Sequence, residues 1–155
     1  MKIEGIDRVV LVVKDMDKAV ELVSKLLEID FEEERGPLLD EVGIRVSVGY
    51  HKKTKLLVEM MQPVYPLKDV KPPDPIAMAK AVEHVDAAVW AIAFRVKDTE
   101  ESAADLESKG IRVVHKVEMP QGPIGITNWV ELITNKEDTL GVNMAFVSYK
   151  EPTEK

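Results

Sequence analysis

Val12-Val13-Lys14-Asp15 and Arg95-Val96-Lys97-Asp98 decide the fold of this chain. Asp15 and Asp98 stand 83 residues apart, and each tetrapeptide closes a hydrophobic run, Ile6 to Val13 and then Val89 to Val96. Each Asp opens a helical pattern. After Asp15, Val20, Val23 and Leu27 share one helical face, with Ala19, Leu22 and Leu26 beside them, so a helix is expected over 16–27. After Asp98, Glu101 completes a capping-box-like start for a helix over 99–109, and Gly110 stops it.

Three strand-like segments follow each helix. In the first half they are Asp30 to Glu34, Gly43 to Tyr50 and Lys55 to Met61; in the second, Ile111 to Val117, Ile124 to Ile133 and Gly141 to Ser148. Turn material separates them at Arg35-Gly36-Pro37, His51 to Thr54, Pro120 to Pro123 and Asn135 to Thr139. Residues 1–62 form a first βαβββ module and residues 88–150 a second. Residues 63–87 are a linker, extended by Pro63, Pro66, Pro72 and Pro73 and ending in a short helix from Pro75 to His84; residues 151–155 are a tail. The expected class is α+β, one structural domain in which two βαβββ modules form a curved mixed sheet around a shared cavity, helices outside. The alternative is two independent modules of about 70 residues, whose cores would be marginal.

Composition removes several function classes. The 155 residues are 45% hydrophobic and 32% charged, which fits a globular chain rather than a disordered one. The net charge of −7 disfavours nucleic acid or an anionic membrane as partner, because phosphates want a basic face. No run approaches the length of a membrane-spanning helix, and Met1 to Gly5 has no signal-peptide core, so a cytoplasmic location is expected. With no cysteine, disulfides, thiolate metal sites and cysteine nucleophiles are excluded. Only Gln62, Gln121, Asn128, Asn135 and Asn143 carry side-chain amides, which points to a thermophilic source.

The passages Ile6-Asp7-Arg8-Val9-Val10 through Asp15, Lys25 to Phe31, Val58-Glu59-Met60-Met61-Gln62-Pro63, Asp74-Pro75-Ile76-Ala77 and Ile92 through Asp98 carry a resemblance that covers nearly the whole chain. They resemble the vicinal oxygen chelate superfamily, which includes glyoxalase I, methylmalonyl-CoA epimerase, extradiol dioxygenases and bleomycin-resistance proteins. The epimerase-like and hydroxyphenylpyruvate dioxygenase-like branches look nearest. The resemblance implies a homodimer and a divalent metal held by four residues on inner strand faces. The corresponding positions here are Arg8, Glu59, Ala91 and Ala145. Only Glu59 keeps a ligand-type side chain; Arg8 is permanently cationic, and the alanines have no donor. The expectation is therefore no metal, with Arg8 in its place and paired with Glu59. A divalent metal is the alternative.

Strand alternation extends the candidate site. With position 8 inward, Ala91, Ala93 and Arg95 follow in the second copy, Met61 follows Glu59, and Asn143 and Val147 follow Ala145. Placing apolar Ile44, Val46 and Val48 under the helix turns Arg45, Ser47 and Gly49 inward. Trp129, Glu131 and Ile133 are inward likewise, with Val130 and Leu132 under the helices. The ligand-binding candidates are Arg8, Arg45, Ser47, Met61, Arg95, Trp129 and Asn143; the carboxylates Glu59 and Glu131 are the candidates for moving a proton. Guanidinium groups suit a carboxylate or phosphate. Two functions are expected from this set. One is a binding protein, bleomycin-resistance-like, that holds a small anionic organic molecule. The other is an isomerase, epimerase or lyase on an acyl or 2-oxo acid, metal-dependent or with Glu59 or Glu131 as base.

Overall fold

A computed structural model of the chain describes residues 1–35, 37–71 and 73–150. The expected turn at Gly36, the linker position Pro72 and the tail 151–155 lie outside the described residues. Eight strands and four helices follow in the order β1 (Ile3–Val13), α1 (Met16–Leu27), β2 (Phe31–Glu34), α2 (Pro37–Val42), β3 (Ile44–His51), β4 (Leu56–Pro63), α3 (Pro75–Ala81), β5 (Ala87–Val96), α4 (Thr99–Ser108), β6 (Val113–Gln121), β7 (Thr127–Thr134) and β8 (Asn143–Lys150). The fold is α+β, and apart from α2 and α3 its element order is strand–helix–three strands, twice.

The two helix starts work as their sequences require. The Asp15 side chain accepts from the Lys18 amide, and Asp98 accepts from the amides of Glu100 and Glu101. Each cap satisfies helix N–H groups that have no partner within the helix. Three local expectations change. Residues 37–42 form the extra helix α2 rather than irregular chain. α3 ends at Ala81, about a turn before His84. A 3-10 turn at Pro123–Gly125, with Ile124 at φ 53°, replaces the expected start of β7.

The chain forms two compact units. One runs from Val9 to Trp90; the other joins Met1–Arg8 to the chain from Ala91 onward. In the first the strand order is β2-β3-β4-β1, with β2–β3 and β3–β4 antiparallel. In the second it is β5-β8-β7-β6, with β5–β8 parallel and the other pairs antiparallel, a mixed sheet.

Each unit packs its helix on its own strands. In the first, Val13, Met16 and Met60 are buried together, with Ala19, Val20, Val23 and Phe31 against them. Leu22 and Leu26, expected beside that face, are instead exposed. In the second, Val96, Leu106, Leu132 and Phe146 form the core under α4, and Phe94 stacks on Phe146 with ring centroids 5.7 Å apart. Burying a side chain of this size stabilises by about 1.5–3 kcal/mol. Among the described residues no helix is long and apolar enough to cross a membrane.

Candidate functional site

The second unit gathers a charged and aromatic cluster from β1, β5, β7 and β8. In β7, Trp129 and Glu131 are two residues apart and so share a face. Arg8, at the sixth residue of β1, donates a hydrogen bond from Nη2 to Glu131 Oε1. The indole Nε1–H of Trp129 donates to the other carboxylate oxygen at 3.3 Å. The Arg8 guanidinium carbon lies 5.0 Å from the Trp129 ring centroid, a cation–π distance. Arg8 and Glu131 are both buried.

Tyr149 extends the cluster. Its ring stacks on Trp129 with centroids 5.1 Å apart and planes 3° from parallel. The Arg95 guanidinium carbon lies 3.4 Å from the centroid of the Tyr149 ring. Arg95 Nη2 also donates to the Tyr149 carbonyl at 2.8 Å. Arg95, Tyr149, Trp129 and Arg8 are thus linked in that order by pairwise contacts. The Tyr149 hydroxyl donates to Asp7 Oδ1 at 2.5 Å.

Asp7 is buried, and its Oδ2 has no hydrogen-bond partner among the described residues. Burial pushes the Asp7 carboxyl up from its ordinary range; the Tyr149 hydrogen bond and the charges of Arg8 and Arg95 oppose that shift, and Glu131 adds to it. Burial likewise pushes the Tyr149 hydroxyl far up, with Asp7 adding to the shift. Tyr149 therefore stays a neutral donor. If Asp7 is neutral too, the cluster holds two guanidinium charges against one carboxylate.

This places the second-half candidates. Arg8, Trp129 and Glu131 meet directly, and Arg95 reaches them through Tyr149. Asn143 opens β8 opposite Ala91, half-buried. Sequence reasoning missed Asp7 and Tyr149. Tyr149 was open to the same alternation that picks Asn143, Ala145 and Val147, carried one step further. Asp7 had only the weaker signal of an acid inside an apolar strand.

In the first unit, Arg45 and Ser47 require a correction. They lie on the α1 side of β3. Arg45 donates from Nη2 to Asp17 in α1 at 3.0 Å, from Nε to Glu33 at 2.9 Å and from Nη1 to Gln62 at 3.4 Å. The hydrogen bonds to Glu33 and Asp17 raise the Arg45 pKa, and those from Arg45 and Arg35 lower that of Glu33. With Ser47, Met16, Val20 and Phe31, Arg45 lines an open groove of about 310 Å³. Ile44, Val46 and Val48 occupy the opposite face, paired with Pro63, Met61 and Glu59. Both faces of β3 are buried in its central residues, so hydrophobicity could not tell one from the other. Glu59 is buried and Met61 half-buried on that second face.

Among the described residues, no group of three or more histidine, aspartate or glutamate side chains is placed to hold a metal ion. Ala93 pairs with Ala145 and Ala91 with Asn143.

The chain matches the profile of the Glyoxalase/Bleomycin resistance protein/Dioxygenase superfamily over residues 7–127. No curated protein matches significantly. Among solved structures, methylmalonyl-CoA epimerase from Mycobacterium tuberculosis is similar at 23% identity and TM-score 0.69, covering 98% of this chain and 90% of that one. A variant of the Streptomyces coelicolor methylmalonyl-CoA epimerase, in complex with 2-nitronate-propionyl-CoA, is similar at 22% identity and TM-score 0.67, covering 94% and 97%. A hypothetical protein from Bacillus halodurans is similar at 18% identity and TM-score 0.69, covering 97% of each chain. These likenesses concern the fold; the profile match spans most of the sequence, and the chain belongs to the glyoxalase/bleomycin resistance protein/dioxygenase superfamily.

Proposed function

We propose that this chain binds a small anionic organic molecule at the Arg8–Trp129–Glu131–Tyr149–Arg95 cluster, without a metal. The observation that carries the reading is the hydrogen bond from Arg8 to Glu131. Arg8 stands at a position where the resembled superfamily places a metal ligand. A guanidinium cannot ligate a cation, and its charge repels one. Ala91 and Ala145 supply no donor either. The residues present do not fit a divalent ion, and we derive no step through one.

Two features support an anion. The cluster carries excess positive charge whenever Asp7 is neutral, and burial favours that form. The Trp129–Tyr149 stack offers an apolar wall for the rest of the ligand. The test is an NMR screen of small carboxylates, phosphates and sulfonates that follows the Trp129 indole N–H. Saturable shifts of that resonance by organic anions, and none by matched neutral molecules, are expected. A resonance that no anion moves would end this reading.

A second reading is an isomerase, epimerase or lyase on an acyl or 2-oxo acid, with Glu131 or Glu59 as base. It is favoured by the solved relatives named as methylmalonyl-CoA epimerases, one of them in complex with methylmalonyl-CoA. A buried carboxylate beside a guanidinium has the elements needed to take a proton and steady the resulting enolate. Exchange of the α-hydrogen of methylmalonyl-CoA with deuterated solvent tests it. Exchange that vanishes in Glu131→Gln or Glu59→Gln supports the enzyme; no exchange above the uncatalysed rate removes this substrate.

A homodimer belongs to the same proposal. Light scattering at micromolar concentration checks it, and a monomer mass contradicts it.

A further inference from the structure

We propose that Arg95 takes the anionic group of the ligand and that Asp7 sets how strongly it does so, an inference that rests on the anion-site reading above. Arg95 donates a hydrogen bond from Nη2 to the Tyr149 carbonyl. Its Nη1 lies 3.7 Å from Asp7 Oδ1, close enough for charge attraction and too far for a hydrogen bond. Arg95 also acts on the Tyr149 hydroxyl through charge and hydrogen bonding, and a guanidinium's five N–H donors leave capacity beyond these contacts. A guanidinium presents its donors as a rigid fork that fits an oxyanion bidentately. The Arg95 side chain is 20% exposed, against 9% for Arg8. Arg8 also already holds Glu131. Stacking on Tyr149 fixes the plane in which the Arg95 fork is offered.

Asp7 competes for that fork. The charged and titratable groups around it are Tyr149, Arg8, Arg95 and Glu131. Ionised, Asp7 is a built-in anion that offsets the Arg95 charge. Neutral, it leaves that charge for a ligand. The two forms therefore differ in affinity for an external anion, and by reciprocity the anion must shift the proton equilibrium of Asp7. Burial raises the Asp7 pKa, which brings the neutral form to milder pH. The affinity should fall as pH rises through the titration of Asp7.

Ethanesulfonate is the probe, because it keeps its single negative charge throughout. Its binding is measured by NMR on the Trp129 indole N–H and the Arg95 Nε–H, at one pH below and one above the titration of Asp7 as followed by its own carboxyl carbon resonance. The wild type should bind about fivefold or more tightly at the lower pH. Asp7→Asn, which preserves the acceptor for Tyr149, should bind equally at both. Arg95→Gln should lose binding at both; if it does not fold, Arg95→Lys should bind about tenfold more weakly than wild type. A wild-type affinity independent of pH, or an Asp7→Asn protein that keeps the dependence, overturns the role of Asp7. Wild-type affinity in the Arg95 variant overturns the role of Arg95. Binding that survives Arg95→Gln but not Arg8→Gln ends this inference and leaves the anion site standing. No binding to wild type at either pH ends both.

Discussion

Arg8 donates a hydrogen bond to Glu131 across 123 positions of sequence, and neither side chain is more than 10% exposed. A buried carboxylate that loses its guanidinium is left with an uncompensated charge. The hydrogen bond from Trp129 to the other Glu131 oxygen adds an aromatic ring to the same arrangement.

Arg8→Met should therefore cost about 3–5 kcal/mol in denaturant melts at neutral pH. Arg8→Met combined with Glu131→Leu should cost less than Arg8→Met alone, because Glu131 is then no longer left without its guanidinium. A double-mutant cycle reads the coupling directly. A coupling energy near zero would mean that the pair contributes nothing to the folded state.

Tyr149→Phe removes the hydroxyl that donates to Asp7 Oδ1. That hydrogen bond lowers the Asp7 pKa, so the variant should titrate Asp7 higher than wild type does. The stability loss should be about 1–2 kcal/mol, the scale of one hydrogen bond with a buried partner left unsatisfied. Carboxyl carbon NMR of Asp7 in both proteins is the check; an unmoved or lower pKa contradicts the geometry.

Asp7 and Asp138 should give opposite pH dependences. The folded pKa of Asp7 is raised, so between its unfolded and folded values the native state holds more protons and stability falls as pH rises. Asp7→Asn should remove that slope and gain on wild type as pH rises. The Asp138 pKa is lowered to about 2 by its hydrogen bonds with Arg112, so its contribution is present above the ordinary aspartate value and lost as pH falls toward about 2. Asp138→Asn should be less stable than wild type at neutral pH and approach it in acid. Thermal melts of the three proteins from about pH 3 to about pH 8 separate these slopes.

Gly49→Ala should cost about 1–3 kcal/mol through crowding. A Cβ there would sit 2.8 Å from Ile29 Cγ2 and 2.8 Å from the Phe31 ring. Denaturant melts that show an unchanged midpoint would mean β3 and β2 separate more easily than the packing indicates.

The repeat made the fold legible: Asp15 and Asp98 cap equivalent helices, and period-two alternation after Asp98 puts Leu132 under α4 and Trp129 with Glu131 on the other face. The same logic went astray at β3 because it followed hydrophobicity rather than the repeat. The Asp15-to-Asp98 offset carries Ser47 onto Val130, a position expected on the helix side, whereas Val46 and Val48 map onto Trp129 and Glu131. The offset thus turned Ser47 toward α1 in advance, as the Arg45–Asp17 ion pair turns it in the structure. Asp7 was out of reach for a different reason. Alternation assigns it away from Arg8, yet the Tyr149 hydroxyl donates to it.

Metal content is the most direct test of the central claim, that a guanidinium–carboxylate pair stands where the resembled superfamily holds a cation. The protein should be purified without chelator, dialysed, analysed for divalent metals, and then titrated with zinc, manganese and cobalt. The account predicts far less than one equivalent per chain and no tight uptake. One tightly held divalent ion per chain would contradict it.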